Sequence, residues 1–305
     1  MKMRTLKYST ILAALFILTG ACKKEFLERE PLDALTMDTY YQSYEELRAA
    51  VAPLYSTSWF EYNDKGSFSF GDCLGGNMIN PWSYEDFVYF TYTSLDQTIG
   101  SGWASLYRVV GHANLHIRNI GELTAPSIEE ELKLQVISEA RFMRAVAYFY
   151  LVRLWGDVPI IDDNIALIDD YIVPRNRAED VYQYIINDLN YAIAHLPETD
   201  SEPGRVTSWS AKAMLAKVYL TFSGYNASGG LRDESLLDSA STYAEDVILN
   251  GPYDLMENYP DLFLTANDNN VESIFAWQWI AGNYGDGNSF QAYFAVTGTI
   301  TGVGD

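Results

Sequence analysis

An all-α-dominated fold, built from paired helices with long irregular loops and a few short strands, is predicted by three observations. Apolar residues recur at steps of three and four through successive stretches between residues 103 and 250. Residues 58–102 instead interleave Gly, Asn, Asp, Ser and aromatics with no helical period. Apolar residues make up 48% of the 305, enough to bury a core and to exclude disorder over most of the chain.

The chain opens with a positive segment (Lys2, Arg4, Lys7) and an apolar run from Ile11 to Leu18. The run is too short to cross a bilayer, which takes about 20 residues, and reads as the apolar region of a signal peptide. Leu18-Thr19-Gly20-Ala21-Cys22 follows, small residues before a cysteine, with Leu one place further back than a lipoprotein signal usually has it. Residues 1–21 are thus expected to be removed and Cys22 acylated. Several acyl chains are needed, because one holds only marginally at roughly 0.8 kcal/mol per buried methylene. Residues 23–35, charged and carrying Pro31, read as a tether to a single domain that fills the rest of 22–305.

Ser43 and Glu46 form a capping box ahead of Tyr44, Leu47, Ala50, Val51 and Leu54, and Pro53 should kink or end that helix. Within the 58–102 excursion Phe87–Thr93 alternates weakly, as a strand does. Trp103, Leu106, Tyr107, Val110, Asn114, Ile117 and Ile120 share a helical face. Ser127 and Glu130 offer a second capping box for a helix running from Leu132 to Trp155. Gly156-Asp157-Val158-Pro159 stops it and starts an extended piece to Ile161. Further helices run through Val181–Leu196, from a Thr207 cap to Phe222, and through Leu236–Ile248. Helix pairs with small alanines at their crossings, here over about 103–250, are the pattern of tetratricopeptide-type units. Glu272–Ile280 reads as a strand.

Composition narrows the function. Net charge is -21, and no Lys/Arg cluster offsets it, so a phosphate backbone is repelled and nucleic-acid binding is excluded. Of two cysteines, Cys22 goes to lipid and Cys73 is left as a partly buried structural thiol. No G-x-S-x-G elbow, P-loop or H-E-x-x-H is present, so no enzyme is read and no cofactor or metal is expected. His112 and His116 share a helix face but lack a third ligand of matching spacing. Asp162-Asp163 and Asp169-Asp170 read as solvated loop charge, and Asn267-Asp268-Asn269-Asn270 lacks the spacing of a calcium loop. Most of the 23 Tyr, 14 Phe and 7 Trp will be core, and the same rings, beside amides and carboxylates, are also what sugar-binding surfaces use. Asp72, Asn77, Asn80, Trp82 and Tyr84 supply that mixture, with Trp82 as the stacking base. Tyr284, Asn288, Phe290 and Tyr293 offer a second wall. The plainer account, and the favoured one for any single residue, is that Trp82 and Tyr84 plug the loop's own small core.

The run Glu139-Ala-Arg-Phe-Met-Arg-Ala-Val-Ala-Tyr-Phe-Tyr-Leu-Val-Arg-Leu-Trp-Gly-Asp-Val-Pro-Ile160 resembles the signature helix of SusD/RagB nutrient-uptake proteins. Cys22-Lys-Lys-Glu-Phe-Leu27, the helix from Arg205 to Leu220, and Glu272-Ser-Ile-Phe275 agree in order. The resemblance implies a SusD-like fold with tetratricopeptide-like helix pairs. It implies a lipid-anchored, surface-facing lipoprotein of the outer membrane, partnering a SusC-like TonB-dependent transporter and binding oligosaccharides, or peptides in some relatives. A tetratricopeptide scaffold binding only proteins is the alternative. Members run considerably longer, so a truncated gene is expected, with part of any ligand platform missing.

Overall fold

Ser43 starts the first described helix, α1 (Tyr44–Val51), through the expected capping box: its hydroxyl accepts the Glu46 N–H while the Glu46 carboxylate accepts the Ser43 N–H. The structure, a computed structural model, describes residues 40–78, 85–169 and 172–280. Cys22 and its leader therefore lie outside the described residues. Pro53 has no N–H to continue the ladder, and α1 passes directly into a 3-10 turn, Ala52–Tyr55.

The next stretch corrects the aperiodic reading. Residues 57–73 wind through a 3-10 turn, Thr57–Trp59, and two π-helical turns, Tyr62–Gly66 and Ser69–Cys73. A chain that alternates hydrogen-bond spacings has no single period for apolar residues to follow. Likewise Phe87–Thr93 is not a strand. A short helix, α2 (Glu85–Val88), gives way to a turn in which Phe90 takes φ +57°. The Thr91 N–H donates to the Asp86 carbonyl at 2.8 Å and its hydroxyl to the Asp86 carboxylate at 2.6 Å.

The long helix α3 (Gln97–Leu123) begins well before Trp103, with Asp96 accepting the Thr98 and Ile99 N–H groups. Its partner α4 (Glu130–Trp155) starts from Glu129 without a side-chain cap. The Ser127 box is overturned because residues 125–128 close their own turn, Ile128 N–H to the Ala125 carbonyl. Gly156, at φ +70°, ends α4 by donating to the Val152 carbonyl. Val158 then forms a bridge with Asn176, the one β pairing among the described residues.

A short helix α5 (Ala166–Asp169) precedes α6 (Ala178–His195), α7 (Ser208–Phe222) and α8 (Glu234–Asn250). Thr207 caps α7 as expected, and Asp233 caps α8. Packing is sequential: α3 on α4, α4 on α6, α6 on α7, α7 on α8, as in a solenoid. α4 is the centre, with Phe142, Met143, Tyr148 and Leu151 fully buried and Ala140, Ala145 and Ala147 at zero exposure where neighbours cross.

Glu272–Ile280 is extended but not a strand. No neighbouring strand exists among the described residues to pair with it, and it is held by scattered bonds instead. Ser210 Oγ donates to the Ile274 carbonyl at 2.7 Å, and Gln278 N–H to the Tyr55 carbonyl at 2.9 Å. No described helix is long and apolar enough to cross a membrane.

Candidate functional site

The wound excursion carries its own small core. Phe68, Cys73 and Phe87 are buried together, with Phe70, Leu74, Met78, Val88 and Ile99 packed around them. Phe70 links this cluster to the solenoid by edge contacts with Phe87 at 5.7 Å and Trp155 at 5.8 Å. Trp59 is buried against Trp277, their ring centroids 5.3 Å apart. Trp59 and Phe87 are thus core. Cys73 is free and buried, and burial, then the Asp72 charge, push its thiol pKa up.

Two of the expected ligand residues flank this cluster. Asp72 and Asn77 are exposed, and the Asp72 carbonyl accepts the Asn77 N–H at 2.9 Å, so one turn presents a carboxylate and an amide side by side. Asn80, Trp82, Tyr84, Tyr284 and Asn288, like Phe290 and Tyr293, lie outside the described residues. Three rings that were read as strand positions follow Phe87 of the cluster. Tyr89 and Phe90 are two-thirds exposed and Tyr92 is 38% exposed, stacked on Phe87 at 5.2 Å and 13° between planes. The signal that could have found them is the acidic start Glu85-Asp86, which favours a helix N-terminus over a pleat.

The cleft beside α3 offers less to a sugar. Its volume is about 480 Å³, and Trp103, Tyr107, Ile161, Asn164, Leu167 and Val173 are among its lining. The Tyr107 hydroxyl is spent on the Pro159 carbonyl at 2.8 Å and the Asn164 amide on the Gly111 carbonyl at 2.7 Å.

Three charged residues of α4, Glu139, Arg141 and Arg144, reach across to neighbouring elements as packing contacts. Glu139 accepts from Tyr55 and, at 3.0 Å, from Arg205, and burial raises its carboxyl pKa. Arg141 and Arg144 both bond Asp188 of α6. None opens to a cleft as an acid or base would have to. Ser58 Oγ lies 2.9 Å from His112 Nδ1, but Ser58 is 1% exposed and no substrate carbonyl can reach it. His116 is pushed down to about 4, by burial and then by His112, and its Nδ1 has no hydrogen-bond partner among the described residues. Among the described residues no three His, Cys, Asp or Glu side chains group as metal ligands. The amides of Asn267, Asn269 and Asn270 bond Asp261, Gln278 and Asn267.

The described residues thus form a helix-pair solenoid with an aromatic and polar face on a wound excursion. The chain belongs to the SusD-like family: the family model, described as starch-binding associating with outer membrane, matches residues 25–220. A SusD-like protein of Bacteroides ovatus is 45% identical over 96% of this chain and 53% of its own length. A crystal structure with xylogluco-oligosaccharide is 46% identical, with TM-score 0.74, over 82% of this chain and 50% of that one. A laminarin binding SusD-like protein is 25% identical, with TM-score 0.62, over 77% and 51%. The chain spans about half the length of the relatives it matches.

Proposed function

We propose that the chain is the N-terminal portion of a surface glycan-binding lipoprotein that captures oligosaccharides and passes them to a SusC-like TonB-dependent transporter. The observation that carries this reading is the 46%-identical relative crystallised with a xylogluco-oligosaccharide. Local geometry supports it: the exposed Asp72 and Asn77 supply hydrogen-bond partners for hydroxyls at the foot of the segment that carries Asn80, Trp82 and Tyr84. In this reading Trp82 stacks on a sugar ring, and Tyr284 and Asn288 contribute a second wall. Cys22 carries the acyl chains that hold the protein at the outer membrane, the compartment with which the family is associated. The domain spans 22–305 after removal of 1–21.

Affinity gels containing xyloglucan, laminarin or starch test the binding. Retardation by one of them, lost on Trp82→Ala, is the expected result. Hydrolysis of the polysaccharide would revive an enzyme, and co-purification of a barrel protein with no glycan retardation would leave a tetratricopeptide scaffold. Mass spectrometry of the membrane fraction tests the anchor, the expected peptide beginning at an acylated Cys22.

A further inference from the structure

In a chain of net charge -21 a cation has carboxylates in abundance to pair with, and Arg48, Arg144, Arg205 and Lys212 do so. Arg153 and Arg232 do not: among the described residues neither forms an ion pair. Both line one pocket of about 590 Å³, built from the last turn of α4, the start of α6, the end of α7 and the turn that follows it.

Arg232 is held in a set pose. Its Nη1 donates to the Leu220 carbonyl at 2.8 Å and to Ser223 Oγ at 3.3 Å. The guanidinium lies over Gly224, where a Cβ would meet Nη1 at 3.2 Å. The Nε–Nη2 edge is left without a partner among the described residues. Arg144 uses that same edge to fork Asp188, and it is the geometry that takes a carboxylate, sulfate or phosphate with two parallel bonds. Arg153 rests on the Phe149 ring, 5.0 Å from its centroid, and keeps every N–H free of a partner among the described residues.

A third group points the same way. Tyr182 lines the pocket, is 2% exposed and stacks on Phe222 at 4.4 Å. Its hydroxyl bonds nothing among the described residues, yet it is not one of the polar atoms sealed from solvent. A buried hydroxyl in that state costs free energy until a partner arrives. Burial raises its pKa and the Arg153 charge works against that rise, so at neutral pH the hydroxyl is a donor. Acids close by in sequence are engaged elsewhere: Asp157 accepts the Ala178 N–H at 2.9 Å, Asp180 pairs with Arg177, and Asp233 caps α8. The volume is that of a pocket for a small organic molecule rather than a bare ion. Tyr225, its ring 5.9 Å from that of Tyr182, adds an aromatic wall.

We propose that this pocket binds a small organic anion, its carboxylate, sulfate or phosphate held by Arg153, Arg232 and Tyr182 and its body by the aromatic wall. The site shares no residue with those assigned to glycan stacking, so the two are tested separately. The full chain is titrated calorimetrically in low-chloride buffer with glucuronate, glucose 6-phosphate, inorganic phosphate and glucose. At least one of the two organic anions is expected to bind tenfold or more tightly than glucose and than inorganic phosphate, and to weaken as salt rises. Arg153→Gln loses no hydrogen bond of the fold, and Tyr182→Phe removes only an unpartnered hydroxyl. Each should weaken the anion at least fivefold with the melting temperature unchanged. Arg232→Lys keeps the charge, loses the fork and should weaken it as well. Anion binding unaltered by Arg153→Gln and Arg232→Lys together would overturn the site. Glucose binding as tightly as the anions would overturn the oxyanion chemistry, and inorganic phosphate binding as tightly would overturn the organic body. No binding by either organic anion would overturn the proposal outright and leave glycan binding standing.

Discussion

Arg144 of α4 grips Asp188 of α6 with two parallel hydrogen bonds, Nε to Oδ2 and Nη2 to Oδ1, each 2.8 Å. The side chains are 6% and 2% exposed. The remaining guanidinium nitrogen donates to Asn114 of α3 at 2.7 Å, and Arg141 adds a bond to Asp188 at 3.1 Å. One buried fork therefore joins the three helices at the centre of the solenoid.

Removing one member leaves the other charged, dry and unpaired. Asp188→Ala is expected to destabilise by roughly 3–5 kcal/mol, read from urea unfolding, because two arginines lose their carboxylate. Arg144→Met together with Asp188→Leu should recover most of that loss, since packed apolar side chains of similar volume often match a buried pair. A loss below about 1 kcal/mol for Asp188→Ala would mean that water reaches the pair.

A second cluster gives stability a pH dependence of definite sign. Arg48 bonds Asp200 and Glu202, each at 2.7 Å. Burial pushes the Asp200 carboxyl up, but the Arg48 bond and its allies outweigh it and hold the pKa below 3.8; the Arg48 bond chiefly lowers Glu202 below 4.5. The unfolded chain then binds more protons, so this contribution is full above the unfolded values and is lost as pH falls through the folded ones. Glu139 acts in the opposite sense: burial raises it above 4.5, so its contribution is full below that value and declines as pH rises through the folded one. Melting temperatures followed from acid to neutral pH check both. Asp200→Asn should flatten the fall on the acid side, and Glu139→Gln should flatten the decline above about pH 4.5.

Gly204 is fixed by two constraints at once. Its φ is +85°, and a Cβ there would sit 2.5 Å from the side-chain amide carbon of Gln278, whose N–H holds Tyr55. Gly204→Ala is expected to cost about 1 kcal/mol or more. Adding Gln278→Ala should remove the steric share and leave the backbone share. Additive losses in the double variant would show that the amide moves aside freely.

These examples mark what a sequence reader can reach. α4, α6 and α7 are legible because their apolar residues keep a single 3.6 period and their ends carry Gly156, Pro197 and Thr207. The start of α3 is hidden by Gly100 and Gly102, which read as loop; Gly102 is required because a Cβ would meet the Phe70 ring at 2.9 Å. The strand signals at 87–93 and 272–280 are alternation without a partner, and no local pattern reveals whether a partner exists. The bond between Tyr55 and Glu139 spans 84 residues and leaves no mark at either end. At the candidate site, Asp72 and Asn77 are exposed on one turn, while Tyr89, Phe90 and Tyr92 follow a short helix that only the acidic pair Glu85-Asp86 announces.

A solenoid repeat that nothing covers needs a polar outer face. α8 instead buries only Ala240 and Val247 and leaves Ile248 and Leu249 about three-quarters exposed. Leu255, Tyr259 and Phe263, in the segment that follows, are exposed to a similar degree. Apolar surface of this kind marks a face that is covered in use, and the relatives are about twice as long as this chain. On its own the chain should therefore associate as concentration rises, and analytical ultracentrifugation across a hundredfold dilution series reads this directly. Ile248→Asp with Leu249→Asp should raise the monomer fraction and leave the melting temperature within about 1 °C, since neither side chain contributes to the core. A chain that stays monomeric throughout, with the double variant unchanged, would mean that the exposed residues are too scattered to act as one surface.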